Sequence, residues 1–369
     1  MIMKKVLFLG GSGRVGETAI RYLLDHAAVE LTVVTRKTVI DTEGLCSGRS
    51  SVKNVQADIT CGDTLDRLLE GTDLAVSCVG PSHTVGSFII DACVRHGVAL
   101  IDVSGYDPAL KHLDRLNLEN QIHAPVVVNS GLLPGLSGSY PQYLIHRYGG
   151  HSPVKSIEVF YAGRDTWSFS SAVDIVSSLG GFGENRGFCR IESGKIVRTG
   201  LIGAMVKVRF TEPVGTVAGM SMYSEEMARL IKAENIENAV VSGANIGRRA
   251  GVSLMISMLL KRYGTEKGII RGAESLVKAS ARDGLKYPPY YGIHCRLILE
   301  NGKTVKGVLT ADDTYRASGM VVGMNAVYML THEIKPAGYS MHEAIPAEYV
   351  IDNLSREGIF SCLQDSYEN

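Results

Sequence analysis

Two hydrophobic rhythms alternate along the first third of the chain. Lys4 to Leu9 is a short apolar run closed by glycine, as expected of a strand buried on both faces of a parallel sheet. Thr18 to Leu24 then repeats its apolar positions at helical spacing, and Leu31-Thr32-Val33-Val34-Thr35 returns to a β-branched strand. The alternation predicts helices at Thr64 to Leu69 and Ser87 to His96, and strands at Leu74 to Val79, Leu100 to Val103 and Val126 to Val128. Strands separated by helices predict an α/β fold with a Rossmann-type doubly wound parallel sheet.

Beyond about Ser139 the rhythm changes. Ile157 to Tyr161 and Val206 to Phe210 alternate like half-exposed antiparallel strands. Ile293 to Glu300 and Lys303 to Thr310 flank Asn301-Gly302, which predicts a hairpin with a type I′ turn. From Tyr315 to Leu330 helical spacing resumes, with Gly319, Gly323 and Ala326 forming a small-residue stripe suited to close packing. The expected organisation is a nucleotide-binding domain over 1–138, completed by 312–369, with an inserted α+β substrate domain built on an antiparallel sheet over 139–311.

Composition narrows the function classes. The 369 residues carry 38 basic and 38 acidic side chains, so no basic footprint for nucleic acid or anionic membrane is expected. Seven cysteines form no Cys-x-x-Cys pair, and the histidines form no metal-binding spacing, so a reduced, cytoplasmic, metal-free protein is expected. The apolar run behind Met1 is too short for a signal peptide, and Val252 to Leu260 is far below the ~20 residues of a membrane span. Glycine is in surplus, with 41 residues or about 11% against a usual ~7%.

Part of that surplus sits in the first turn, Gly10-Gly11-Ser12-Gly13-Arg14-Val15-Gly16, which holds G-x-G-x-x-G as Gly11, Gly13 and Gly16. One glycine makes the tight turn, one lets backbone approach a pyrophosphate, and one allows close helix packing, with the helix N-terminus facing the phosphates. The strand before it and the helix after it are the required context for a dinucleotide site. After the second strand, where an Asp or Glu would bind the ribose 2′-hydroxyl of NAD, stand Thr35-Arg36-Lys37. Two cations and no carboxylate favour NADP(H), with Arg36 and Lys37 near the 2′-phosphate and Arg14 as a second partner. Asp58, followed by Ile59, is placed to accept from the adenine amino group, or equally to cap a helix. Cys78-Val79-Gly80-Pro81 should pass the adenine ribose and the nicotinamide half.

The run Ser77-Cys78-Val79-Gly80-Pro81, then Gly86, Ala92-Cys93, Gly97 and Ile101-Asp102-Val103-Ser104-Gly105, resembles the saccharopine dehydrogenase-like NADP-dependent reductases. Gly131 to Ser137 is similar to a segment of the same group, so the resemblance covers roughly residues 4 to 140. It implies NADP(H) at the glycine turn, Val79 and Gly80 near the ribose, Ser104 and Gly105 near the nicotinamide, and a substrate cleft beside an inserted mixed domain. One departure is Tyr106, where family members commonly carry Glu.

The chemistry needs one proton donor beside the reduced bond, and Tyr106 and His294 are the catalytic candidates. Arg164 and Arg186 are candidate carboxylate clamps, with Tyr291 in the same substrate role. Arg186 lies in a second glycine cluster at 180, 181, 183 and 187. The function expected is NADPH-dependent reduction of an imine or related C=N bond in an amino-acid-derived small molecule. Enoyl reduction of a carrier-bound or lipid intermediate, and a non-catalytic NADP-binding redox sensor, are the alternatives. A homodimer is expected, with the antiparallel sheet as one possible contact face.

Overall fold

The computed structural model describes residues 3–38, 40, 49–150, 152–181, 187–200, 203–210, 212 and 214–368. Arg186 lies outside these residues. The chain divides into two compact units, residues 1–139 with 315–354, and 140–314 with 355–369.

The first unit opens β1 (Lys4–Leu9), α1 (Arg14–His26), β2 (Val29–Thr35), β3 (Ser51–Gln56), α2 (Thr64–Leu69) and β4 (Leu74–Ser77). It continues α3 (Ser82–His96), β5 (Ala99–Asp102), α4 (Tyr106–Leu118) and β6 (Val126–Val128), before α5 (Leu136–Gly149) leads out of it. The second unit runs β7 (Val154–Arg164), α6 (Phe169–Gly181), β8 (Cys189–Glu192), β9 (Lys195–Arg198), β10 (Met205–Arg209) and β11 (Thr216–Ser221). It goes on through α7 (Glu225–Ala233), β12 (Asn238–Asn245), α8 (Arg248–Leu259), α9 (Glu266–Gly284), β13 (Tyr290–Leu299) and β14 (Thr304–Ala311). Then α10 (Thr314–Thr331), β15 (Gly338–Ser340), α11 (Met341–Ala344) and α12 (Ala347–Arg356) complete the first unit, and β16 (Cys362–Glu368) ends the chain.

In the first unit every pairing is parallel, in the order β15-β6-β5-β4-β1-β2-β3. The order reverses direction at β1 and β4, the topological switch point of a doubly wound sheet, where ligands bind beyond the carboxyl ends of the strands. The central strands bury both faces: Val6 to Leu9 and Leu74 to Ser77 are all buried. The small-residue stripe of α10 does what its sequence predicts. A Cβ on Gly319 would lie 2.6 Å from the Thr18 Cβ and the Val15 carbonyl oxygen, and one on Gly323 would lie 2.9 Å from the Ala19 carbonyl oxygen. Glycine at both positions therefore lets α10 press directly on the backbone of α1.

The second unit is built on a sheet of order β10-β11-β12-β7-β13-β14-β16, with the β8–β9 hairpin attached at β12. It is mostly antiparallel, but β7 and β12 pair in parallel over Ser156 to Gly163, because α6, α7 and the intervening strands return the chain in the same direction. The Asn301-Gly302 hairpin forms without a type I′ turn. Only Gly302 has positive φ, at 84°, and Gly302 N–H donates to the Leu299 carbonyl while Leu299 N–H donates to Lys303. The turn needs one left-handed residue rather than two, and Asn301 instead accepts from the Lys303 N–H through its side chain. The chain end also departs from expectation. Residues 355–369 join the second unit, since β16 pairs with β14 from Thr304↔Glu368 to Thr310↔Cys362 and closes an otherwise open edge.

Candidate functional site

The glycines of the first turn have separable jobs. Gly10 holds φ at 85°, and a Cβ there would sit 2.9 Å from the Cys78 carbonyl oxygen and 3.1 Å from Val79 Cγ2. The turn thus lies directly against the loop after β4. On Gly11 a Cβ would meet Val33 at 2.4 Å and Ile20 at 2.8 Å, so this glycine packs inward against β2 and α1. At Gly16 it would strike the Gly10 carbonyl oxygen at 2.4 Å, which makes that glycine the contact between helix and turn. Gly13 differs. A Cβ there has only the Gly10 carbonyl oxygen near it, at 3.6 Å, and Gly13 is exposed.

Gly13 is also the N-cap of α1, with extended φ and ψ and no side-chain cap for the first N–H groups. A thirteen-residue helix whose N-cap makes no side-chain cap, opened by a residue without a side chain on its outer surface, presents its first N–H groups and the positive end of its dipole. A pyrophosphate fits this cradle: it would satisfy the N–H groups that no side chain satisfies, and approach where no Cβ stands. Ser12 is exposed beside it and Val15 half-buried. Arg14 lies with its guanidinium 4.0 Å from the centre of the Tyr315 ring, at the first turn of α10, so it is held at the glycine turn by stacking.

The loop after β2 carries Arg36 and Lys37 exposed. Its neighbour is the loop after β3, joined by Ala57 N–H to the Thr35 carbonyl at 3.0 Å. There Asp58 accepts from the Thr60 hydroxyl at 2.7 Å and the Thr60 N–H at 3.0 Å. These two bonds hold its carboxyl below the usual carboxylate range, with a smaller contribution from Arg36. Asp58 therefore shapes its own turn and places a negative charge beside Arg36. Ile59 is buried in the core with Leu65 and Leu69, which leaves only its backbone for a ligand.

At the other half of the switch point, Cys78 N–H donates to the Leu9 carbonyl at 2.9 Å, and Val79, Gly80 and Pro81 are half-buried before α3. Burial and the nearby Asp102 push the Cys78 thiol well up, so it is protonated at neutral pH and unsuited to thiolate chemistry. Asp102 ends β5, fully buried, and accepts from both the Ser104 N–H at 3.0 Å and the Ser104 hydroxyl at 2.8 Å. Asn129, with φ at 61°, donates its N–H to the Ser104 carbonyl and its amide to the Ser340 hydroxyl. A Cβ on Gly105 would collide with the Asn129 side-chain oxygen at 2.3 Å, so glycine is required where α4 begins. Ser104 and Gly105 are thus fixed from three strands at once. Tyr106 is the first residue of α4.

In the second unit the substrate candidates separate. Side chains alternate along β13, so Tyr291 and His294 point to opposite faces of the sheet. Tyr291 is buried among core residues, where burial and the nearby buried Glu226 push its hydroxyl well up. His294 is half-buried on the other face, with its ring edge-on to Phe210 at 6.3 Å. Burial lowers its pKa, Lys306 and Arg296 add to the lowering, and Glu158 opposes it. Arg164 shares the face of His294, since Arg164 pairs with Tyr290 and Phe160 with His294. It lies four residues away, about 14 Å at ~3.4 Å per residue. Its Nε donates to the Pro288 carbonyl at 3.0 Å and its guanidinium stands 5.0 Å from the Tyr287 ring centre. Trp167 packs against the core between α6, α8 and α9.

Asp102, Asn129, Ser340 and Tyr315 are the residues that the sequence left without a role. Asp102 could have been found from its motif, Asp-x-Ser-Gly, whereas Tyr315 and Ser340 meet Arg14 and Asn129 across long stretches of chain and have no local signal. Among the described residues, no group of three His, Cys, Asp or Glu is placed to hold a metal ion, and no helix is long and apolar enough to cross a membrane.

Comparison with known proteins matches the nucleotide domain and the fold. Residues 6–124 match the saccharopine dehydrogenase NADP binding domain family. No curated protein matches the chain. Among solved structures, apo saccharopine dehydrogenase (L-Glu forming) from Saccharomyces cerevisiae is 17% identical with a TM-score of 0.66, covering 99% of this chain and 100% of that one. A meso-DAPDH mutant with DAP from Clostridium tetani E88 is 15% identical with a TM-score of 0.48, covering 96% of this chain and 99% of that one. The yeast structure shares the fold across the whole length. Residues 6–124 thus form an NADP-binding domain of the saccharopine dehydrogenase kind, with a glycine turn shaped for a pyrophosphate.

Proposed function

We propose that the protein reduces a C=N bond of an amino-acid-derived small molecule, taking hydride from NADPH. The observation that carries the reading is the first turn: an uncapped α1 whose N-cap, Gly13, leaves open the space a Cβ would fill, next to a loop with Arg36 and no carboxylate at the carboxyl end of β2. In this reading the N–H groups at the start of α1 bind the pyrophosphate, Ser12, Arg14 and Val15 border it, and Arg36 with Lys37 neutralises the 2′-phosphate. The Arg36–Asp58 proximity leaves the adenine side of the pocket with one cation and one acceptor. Val79, Gly80 and Pro81 border the ribose, and Ser104 and Gly105 the nicotinamide. When bound, the cofactor supplies the hydride, and the protein positions it and provides a proton.

Of the two candidate proton donors, His294 has a pKa lowered from an ordinary value near 6.5, so its imidazole is neutral at pH 7 and acts as an acceptor. Tyr106, next to the nicotinamide loop, takes the donor role, and Arg164, with Arg186, the role of binding a substrate carboxylate. The C=N assignment is supported by the fold shared with a saccharopine dehydrogenase of the L-Glu forming type. The test is NADPH oxidation by the full chain against imine, keto and enoyl substrate panels. Turnover confined to the imine panel is expected. Turnover confined to the enoyl panel would replace C=N by C=C, and binding of NADPH with no oxidation on any panel would favour a sensor.

A further inference from the structure

Helices α1 and α10 meet turn by turn. At Gly323 a Cβ would lie 2.9 Å from both the Ala19 carbonyl oxygen and the Tyr22 Cβ. One turn earlier, Gly319 rests on Val15 and Thr18 in the same way. One turn earlier again stands Tyr315, and what it meets is Arg14, the first residue of α1. Positions 315, 319 and 323 thus face 14, 18 and 22, a spacing of four on both helices that sets them side by side in the same direction, with their N-terminal ends together. Glycine closes two of these contacts, and an aromatic ring closes the third. Tyr315 is 9% exposed, and the Arg14 guanidinium lies 4.0 Å from its centre. This is an unfavourable place for a cation. The first turn of a helix carries the positive end of its dipole, where acids are favoured and arginine is not, and here two such ends lie together. The ring offsets part of that penalty, and it fixes a side chain that otherwise has many rotamers.

We infer that Tyr315 is a positioning residue for the dinucleotide: it holds Arg14 over its ring so that the guanidinium stands ready for the pyrophosphate at the start of α1. The inference rests on the nucleotide site proposed above. A stack uses the face of a guanidinium, whereas phosphate oxygens are bound by N–H groups in its plane, so Arg14 can keep the ring and take the phosphate at once. An anion at this point also answers the misplaced cation, because its charge faces Arg14 and the helix N-termini together. Ordering Arg14 before the ligand arrives removes that ordering from the binding step. Pyrophosphate is common to NADPH and NADH. Tyr315 therefore acts on both cofactors alike, where Arg36 acts on NADPH alone.

Fluorescence titration of the full chain with NADPH and with NADH tests this. Tyr315→Leu removes the ring but keeps an apolar side chain, and should weaken both cofactors about 5-fold, as one long side chain must then be ordered on binding. Tyr315→Phe keeps the aromatic face and should bind within about twofold of wild type. Arg14→Met should weaken both cofactors about 10-fold or more. The double variant should lose nothing beyond Arg14→Met, because Tyr315 acts only through Arg14. A tyrosine with a merely structural role would instead add its own loss of about 5-fold in the double variant, which overturns the inference, as does Tyr315→Leu binding like wild type. Loss confined to NADPH would assign Arg14 to the 2′-phosphate and overturn it likewise. Should Tyr315→Leu not fold, NMR of the wild type carries the test. The Arg14 Nε–H proton, identified by its absence from Arg14→Met, should be shifted upfield by the ring current in the apo chain and in the NADPH complex, and a shift lost on binding would show that Arg14 leaves the ring and overturn the inference. A wild type that binds neither cofactor would refute the nucleotide site itself, whereas normal binding by the Arg14 and Tyr315 variants, with Arg36→Asp losing NADPH, would leave that site standing and refute this arrangement alone.

Discussion

Replacing Gly13 and Gly16 by alanine, one at a time, separates the ligand-facing glycine from the structural ones. At Gly13 the added methyl meets only the Gly10 carbonyl oxygen at 3.6 Å, and φ of −83° with ψ of 156° suits alanine. Alanine caps a helix less well than glycine by some tenths of a kcal/mol, and the stiffer unfolded chain returns about 0.4–1 kcal/mol. The two nearly cancel, so the apo melting temperature should stay within about 2 °C, using the 2–4 °C per kcal/mol of a domain this size. The methyl nevertheless occupies the surface a pyrophosphate must touch. Losing one charge-assisted hydrogen bond there costs about 1.5–3 kcal/mol, or roughly 10- to 150-fold in NADPH affinity. At Gly16 the methyl would lie 2.4 Å from the Gly10 carbonyl oxygen and 3.0 Å from the Gly11 Cα, both backbone atoms that cannot rotate away. Overpacking of this kind costs about 3 kcal/mol at its upper end, less about 1 kcal/mol of gained helix propensity. A fall of about 4–8 °C follows. Differential scanning fluorimetry of the apo chains and fluorescence titration with NADPH give both quantities. The reasoning is refuted if Gly13→Ala binds NADPH within twofold of wild type, or melts as low as Gly16→Ala.

Gly319→Ala should lower the melting temperature despite alanine's better helix propensity, because its methyl would lie 2.6 Å from both the Thr18 Cβ and the Val15 carbonyl oxygen; a rise in melting temperature would show that α10 does not rest on α1. His294 has a folded pKa below its unfolded value near 6.5, so the unfolded chain binds the extra proton, and stability present above pH 6.5 is lost as the pH falls below it. Thermal unfolding between pH 7.5 and 5.5 should show a steeper loss for wild type than for His294→Gln, and equal slopes would mean that His294 titrates as if in water.

The first unit was largely legible because a parallel sheet writes itself locally. The buried strands are apolar runs of three to seven residues, helices follow most of them within a few residues, and the glycine turn must sit between the first of each. What stayed hidden were contacts between segments far apart in sequence: Tyr315 over Arg14, and Ser340 under Asn129. The second unit was less legible, because an alternating strand does not announce its partner. The pattern of Ile157 to Tyr161 fits a parallel neighbour as well as an antiparallel one, and β7 has both. The same alternation separates Tyr291 from His294, since an odd spacing of three places them on opposite faces. Polar β16 carried too little apolar signal to be seen as a strand, since it covers an edge and buries little.

The most direct test of NADP dependence is paired titration of the wild type and Arg36→Asp with NADPH and NADH. The wild type should bind NADPH more tightly. Arg36→Asp should lose NADPH affinity by about 100-fold, as expected when a phosphate partner of about 1.5–3 kcal/mol is replaced by a like charge, while NADH changes severalfold at most. Equal losses for the two cofactors, or a wild type that prefers NADH, would contradict the assignment of the 2′-phosphate to the loop after β2.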